Sequence, residues 1–119
     1  MKHQIMWWMS RITIMLTSLA LSVTLAAKAY AADITMGAGG NLVFEPSEIT
    51  ISAGDTVTFT NGDLPPHNMQ VADHPELSHG DLAFVAGESF DVTFPDAGDY
   101  DIQCDPHAGA GMKGVIHVS

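Results

Sequence analysis

A single cysteine, Cys104, is the whole thiol complement of this 119-residue chain, so no internal disulfide can form. Cations are nearly as scarce: Lys2, Arg11, Lys28 and Lys113 stand against fourteen carboxylates, a formal net charge of −10. A nucleic-acid binder needs the opposite balance, so that class is excluded. No long apolar run follows residue 27, which argues against a membrane-embedded domain. Repeats, low-complexity tracts, linkers and His-x-His pairs are also missing, and the length suits one domain.

What is present begins with a basic start (Lys2, Arg11) and an apolar run from Ile12 to Ala27 broken only by Thr and Ser. Small residues follow at Ala29-Tyr30-Ala31. That order predicts a secretory signal peptide over residues 1–31, cleaved after Ala31, with a mature domain over 32–119. The run is shorter than the roughly 20 residues of a membrane span, so no stable membrane insertion is expected after cleavage. No twin arginine marks the folded-protein export route. The mature domain keeps Lys113 against all fourteen carboxylates, a net charge of −13. Such a domain is steered toward a positively charged protein partner and away from nucleic acid. In an oxidising compartment its one thiol must be free, paired between chains or metal-bound.

From Asp33 onward the pattern is of short strands: 33–36, 42–44, 48–52, 56–60, 68–71, 89–94, 99–104 and 114–118. Thr56 to Thr60 and Ser89 to Phe94 alternate apolar with polar, the mark of half-buried strands. Turn signals at 37–41, 53–55, 61–63 and 96–99 separate the runs. The expectation is an all-β sandwich burying Val43, Ile49, Ile51, Val57, Phe59, Phe90, Val92, Phe94, Ile102, Ile116 and Val118. Only Pro75 to Leu82 breaks the pattern, as a turn or short helix opened by Pro75.

The chemistry concentrates in Cys104-Asp105-Pro106-His107-Ala108-Gly109-Ala110-Gly111-Met112, between a strand and the last strand. Thiolate and thioether sulfur select copper and imidazole suits it; two histidines and one cysteine with a weak axial methionine form the blue-copper set. The second imidazole is assigned to His67, at the loop-to-strand junction Pro65-Pro66-His67-Asn68. Pro66 and Pro106 stiffen the backbone before each histidine, and Gly109 and Gly111 let the loop turn back to Met112. Taken singly, Met112 suits a core methionine, His67 a structural histidine and Cys104 a buried small hydrophobe. The Cys-x2-His-x4-Met spacing in an exported β-domain favours copper jointly.

Residues 33–119 resemble the plastocyanins, and 104–112 match that family's Cys-x-Pro-His-x-Gly-Ala-Gly-Met loop at every fixed position. Leu42 to Ser47, Pro66-His67-Asn68, Leu77-Ser78-His79 and Ala86 to Phe90 are similar to segments of cyanobacterial members. The resemblance implies an eight-stranded Greek-key (cupredoxin-like) sandwich binding one copper ion. It implies a monomeric one-electron carrier, not an enzyme, cycling Cu(I)/Cu(II) between cytochrome f and photosystem I in the thylakoid lumen, with the periplasm as alternative. It further implies an apolar electron port around His107 formed by Gly40, Leu42, Pro66, Pro106, Gly109 and Ala110. Asn68, through its backbone N–H on the cysteine sulfur, and Pro66 support the ligands from behind.

Three positions depart from the family pattern: Gln103 in place of tyrosine, Ala108 in place of arginine, and Lys113-Gly114-Val115 in place of Val-Gly-Lys. None is a ligand; they bear on docking. Asp73, Glu76, Asp81, Asp99 and Asp101 are either an acidic docking surface or ordinary solvated positions. His74, His79 and His117 are read as surface or structural. Among rivals, a copper storage protein wants clustered methionines, whereas Met36, Met69 and Met112 are spread out. A Cys104–His107 nucleophile pair lacks a third orienting group. A pseudoazurin- or amicyanin-like carrier serving another redox partner is the alternative within the same class.

Overall fold

The computed structural model describes residues 31–119. The proposed signal peptide therefore lies outside the described residues, apart from Ala31, where the first strand begins. Nine strands follow in chain order: β1 (Ala31–Met36), β2 (Phe44–Glu45), β3 (Glu48–Ile51), β4 (Thr56–Asn61), β5 (His67–Val71), β6 (His79–Ala83), β7 (Ser89–Thr93), β8 (Gly98–Gln103) and β9 (Lys113–Val118). One sheet has the order β2-β1-β4-β7 and the other β3-β9-β8-β5-β6. The chain leaves the first sheet after β2, contributes β3 to the second and returns as β4, which makes β1 and β4 parallel neighbours. Strand β3 likewise runs parallel to β9.

Inward residues of both sheets merge into one core around Ile34, Met36, Phe59, Phe94, Ile102 and Ile116. Phe44, Phe59 and Phe94 are fully buried, each contributing about 2 kcal/mol through apolar burial. The expected alternation holds in β4, where Val57, Phe59 and Asn61 are buried and the residues between them are not. Ile49, Phe90 and Val92 are only half-buried because β3 and β7 are edge strands, open on one flank. Val43 is half-buried too; the inward position of the short β2 is Phe44, set by its pairing with Met36. Ile34, Met36, Met69, Val71 and Tyr100 join the core beyond those expected.

The stretch 75–82 divides into a 3-10 turn at Pro75–Leu77 and the start of β6. Strand β6 was not expected because it shows no alternation: His79 to Leu82 are all at least partly exposed and only Ala83 is buried. His79 has a structural place, its ring stacked on Phe90 at 3.9 Å, with Phe90 in turn stacked on Phe59 at 5.3 Å. His117 points outward between two carboxylates, Asp99 and Glu48. Among the described residues no helix is long and apolar enough to cross a membrane.

Candidate metal centre

Strands β1, β4 and β8 end, and β5 and β9 begin, at the same end of the sandwich. His67 is the first residue of β5, and Cys104 follows directly on β8. His107 lies in the 3-10 turn Asp105–Ala110, closed by Gly111 at φ +92, a left-handed conformation that favours glycine. That turn folds back so that the Met112 N–H bonds the His107 carbonyl at 3.2 Å and the Cys104 N–H bonds the Met112 carbonyl at 3.1 Å. Cys104 and Met112 are thereby held side by side.

One ligand atom from each of His67, Cys104 and His107 lies within 4.8 Å of the others. Cys104 Sγ is 3.8 Å from His67 Nδ1 and 3.5 Å from His107 Nδ1. A single ion with metal–sulfur and metal–nitrogen bonds of about 2.3 and 2.0 Å, spread trigonally, requires about 3.7 Å between sulfur and nitrogen. The donor set fits one first-row ion, and its thiolate and imidazole chemistry selects copper. His67, Cys104 and Met112 are fully buried, whereas His107 is half-buried, so of the three clustered donors His107 alone reaches the surface.

His67 is aimed from behind. Its Nε2 lies 2.7 Å from the Asp63 carbonyl, which can only accept, so Nε2 carries the proton and Nδ1 is free to bind metal. Gly37, at φ +80, makes this contact possible: a Cβ there would overlap the Asp63 carbonyl and crowd His67 Nε2. Asn68 ties the two ligand segments together. Its Oδ1 accepts the Asp105 N–H at 2.8 Å, and its Nδ2 donates to the Gly80 carbonyl at 3.0 Å and to Asp105 at 3.2 Å. The reach to Gly80 follows from the register, for between the pairs His67–Ala83 and Met69–His79 the single Asn68 opposes the longer stretch Gly80 to Leu82.

Burial pushes the Cys104 thiol up, opposed by the backbone N–H groups of Asn68 and His107 and reinforced by the Asp105 charge. Desolvation, with help from His67, pushes His107 down. A bound cation reverses the balance at the sulfur, because a coordinating thiol is deprotonated outright. Asp105 itself is held below the ordinary carboxylate range: burial would raise it, but hydrogen bonds from Gln103, Asn68 and Gln70 prevail. The other residues singled out, Gly40, Leu42, Pro66, Pro106, Gly109 and Ala110, are all exposed or half-buried. The Asp63 carbonyl leaves no mark in the sequence, because a backbone acceptor has no side-chain signature; Gly37 shows there only as a turn residue.

A two-sheet sandwich with two imidazoles and a buried thiolate converging at one end defines a copper protein of the electron-carrying class. Residues 31–119 match the family model for copper binding proteins of the plastocyanin/azurin family. The plastocyanin of Scenedesmus fuscus is 47% identical over 98 residues, covering 72% of this chain and 99% of the relative. The chloroplastic plastocyanin of Tetradesmus obliquus is 43% identical over 104 residues, covering 80% and 72%. The oxidised plastocyanin of Dryopteris crassirhizoma superposes with a TM-score of 0.66 at 32% identity, covering 74% of this chain and 100% of that structure. The chain belongs to the plastocyanin/azurin family of copper-binding proteins.

Proposed function

We propose that this protein is a type-1 blue-copper one-electron carrier in which His67, Cys104 and His107 bind one copper ion and Met112 supplies a weak axial thioether. When bound, copper supplies the Cu(I)/Cu(II) couple. The chain's residues hold the ligands, exclude water and offer a surface route. The observation that carries this reading is the contrast in exposure: His67 and Cys104 are fully buried, whereas His107 is half-buried. The resemblance to plastocyanins supports Pro106, Gly109 and Ala110, with Gly40, Leu42 and Pro66, all uncharged and exposed or half-buried, as the face for transient docking. Pro66 and Asn68 support the ligands from behind.

The finer reading is that cytochrome f donates the electron and photosystem I accepts it, in the thylakoid lumen, after removal of residues 1–31. The similarity to plastocyanins, one of them chloroplastic, supports it, as does the net charge of −13 left after that removal, which suits a cationic partner. The carrier acts as a monomer.

The test is to express the full chain, add Cu(II), record the visible absorption, then mix the reduced protein with oxidised cytochrome f and follow electron exchange at several ionic strengths. Intense blue colour bleached by ascorbate, with exchange that slows as salt rises, is the expected result. A colourless protein overturns the copper assignment; a blue protein that exchanges no electrons with cytochrome f overturns only the partner assignment.

A further inference from the structure

Gln103 stands where the family resemblance leads one to expect a tyrosine, and the structure gives it a different task. Gln70 and Gln103 are register partners on β5 and β8. Both carboxamides reach the same carboxylate: Gln70 Nε2 donates to Asp105 Oδ2 at 3.0 Å and Gln103 Nε2 to Asp105 Oδ1 at 3.2 Å. Asn68 Nδ2 adds a third donor to Oδ2 at 3.2 Å. One carboxylate, adjacent in sequence to Cys104, is thus held by amides from the strand that carries His67 and from the strand that leads to Cys104.

The geometry points to Gln103 and Gln70 as positioning residues that set the reduction potential of the copper centre through Asp105. This rests on the copper reading above. A carboxylate beside the thiolate favours the more positive oxidation state. Amide N–H groups that share its charge weaken that preference, and by tying Asp105 to β5 and β8 they also fix where the charge sits. Asp105 and Gln103 are exposed, so water screens part of the effect and the shift is modest.

The test is the copper-loaded full chain and its Gln103→Leu, Gln70→Leu, Asp105→Ala and Gln103→Leu/Asp105→Ala variants, measured by redox titration with the sulfur-to-copper band as signal. Gln103→Leu and Gln70→Leu should each lower the Cu(I)/Cu(II) ratio at fixed poise about threefold, which is about 28 mV at 59 mV per tenfold. Asp105→Ala should raise the ratio, and adding Gln103→Leu to it should change nothing further. These side chains lie outside the core, and Gln70→Leu serves should Gln103→Leu fail to fold. A change in melting temperature with an unmoved potential marks a merely structural role and overturns the inference, as does a Gln103→Leu shift that persists undiminished without Asp105. A blue parent protein with unmoved variants refutes this inference alone; a colourless parent refutes the copper reading and this with it.

Discussion

Gly37→Ala is the substitution that best separates the ligand scaffold from general backbone strain. At φ +80, any residue with a Cβ pays about 1–2 kcal/mol for the left-handed conformation. The new methyl would also overlap the Asp63 carbonyl and press on His67 Nε2, an overpacking penalty of about 1–3 kcal/mol. The total is about 2–5 kcal/mol, and the 2.7 Å hydrogen bond that orients the imidazole is displaced with it. Loss of such a partner behind a metal ligand lowers metal affinity by about 10- to 100-fold. Gly54→Ala is the control, since Gly54 has φ +91 and open space around its Cβ direction. It should lose only the conformational part, about 1–2 kcal/mol, and none of the affinity. Urea unfolding of the metal-free proteins and competitive copper titration against a chelator read both quantities. If Gly37→Ala and Gly54→Ala behave alike in both assays, the Gly37–Asp63–His67 contact does not hold the ligand and the reasoning fails.

Asn68→Ala should destabilise the metal-free protein by about 2–3 kcal/mol in urea unfolding, because it strips partners from the Asp105 N–H and the Gly80 carbonyl. The variant should also bind copper at least about tenfold more weakly. Copper at a hundred times its dissociation constant should add about 2.7 kcal/mol to stability. In a domain of this size that raises the melting temperature by roughly 10–20 °C in calorimetry. Cys104→Ser should lose both the blue band and most of that rise. His117 is held above the ordinary histidine range by hydrogen bonds to Asp99 and Glu48, both accepting from the ring. Its contribution is therefore fully present below the unfolded value of about 6.5 and disappears as pH rises through the higher folded value. His117→Gln should flatten this part of the urea-midpoint profile; an unchanged profile removes His117 as its source.

How much of this was legible beforehand depended on whether the information lay in side chains or in backbone. Cys104 and His107 are legible because they stand three residues apart in one loop, and His67 because a proline-stiffened junction is a natural place to aim a ring; the structure brings these three donors together. Strong alternation exposed β4 and β7. Strand β6 was not visible, since Gly80 and Asp81 weaken strand propensity and the segment pairs mainly through backbone groups. The assignment of Val43 rather than Phe44 to the core failed because two adjacent apolar residues offer no period, and only the pairing of Phe44 with Met36 decides between them. The carbonyl behind His67 is a backbone group four residues away, which no side chain announces, and the Gln70 arm of the clamp on Asp105 joins residues distant in sequence, for which one sequence carries no local pattern.

The same contacts bear on why this site suits electron transfer better than copper storage. Storage requires that donors exchange with solvent or a chelator, yet His67, Cys104 and Met112 are fully buried. Their positions are also fixed by contacts that do not involve metal: the Asp63 carbonyl behind His67, Asn68 between the two ligand segments, and the backbone bonds of Met112 to Cys104 and His107. Sulfur and nitrogen donors already stand 3.5 and 3.8 Å apart, close to the separation that one ion demands. Such a scaffold resists change when the charge on the ion changes, so little reorganisation accompanies gain or loss of an electron. Rigidity alone would leave the electron isolated, but the half-buried His107 opens the shell at one point. The partner therefore needs only to meet one imidazole edge, and a docking contact can stay small and short-lived.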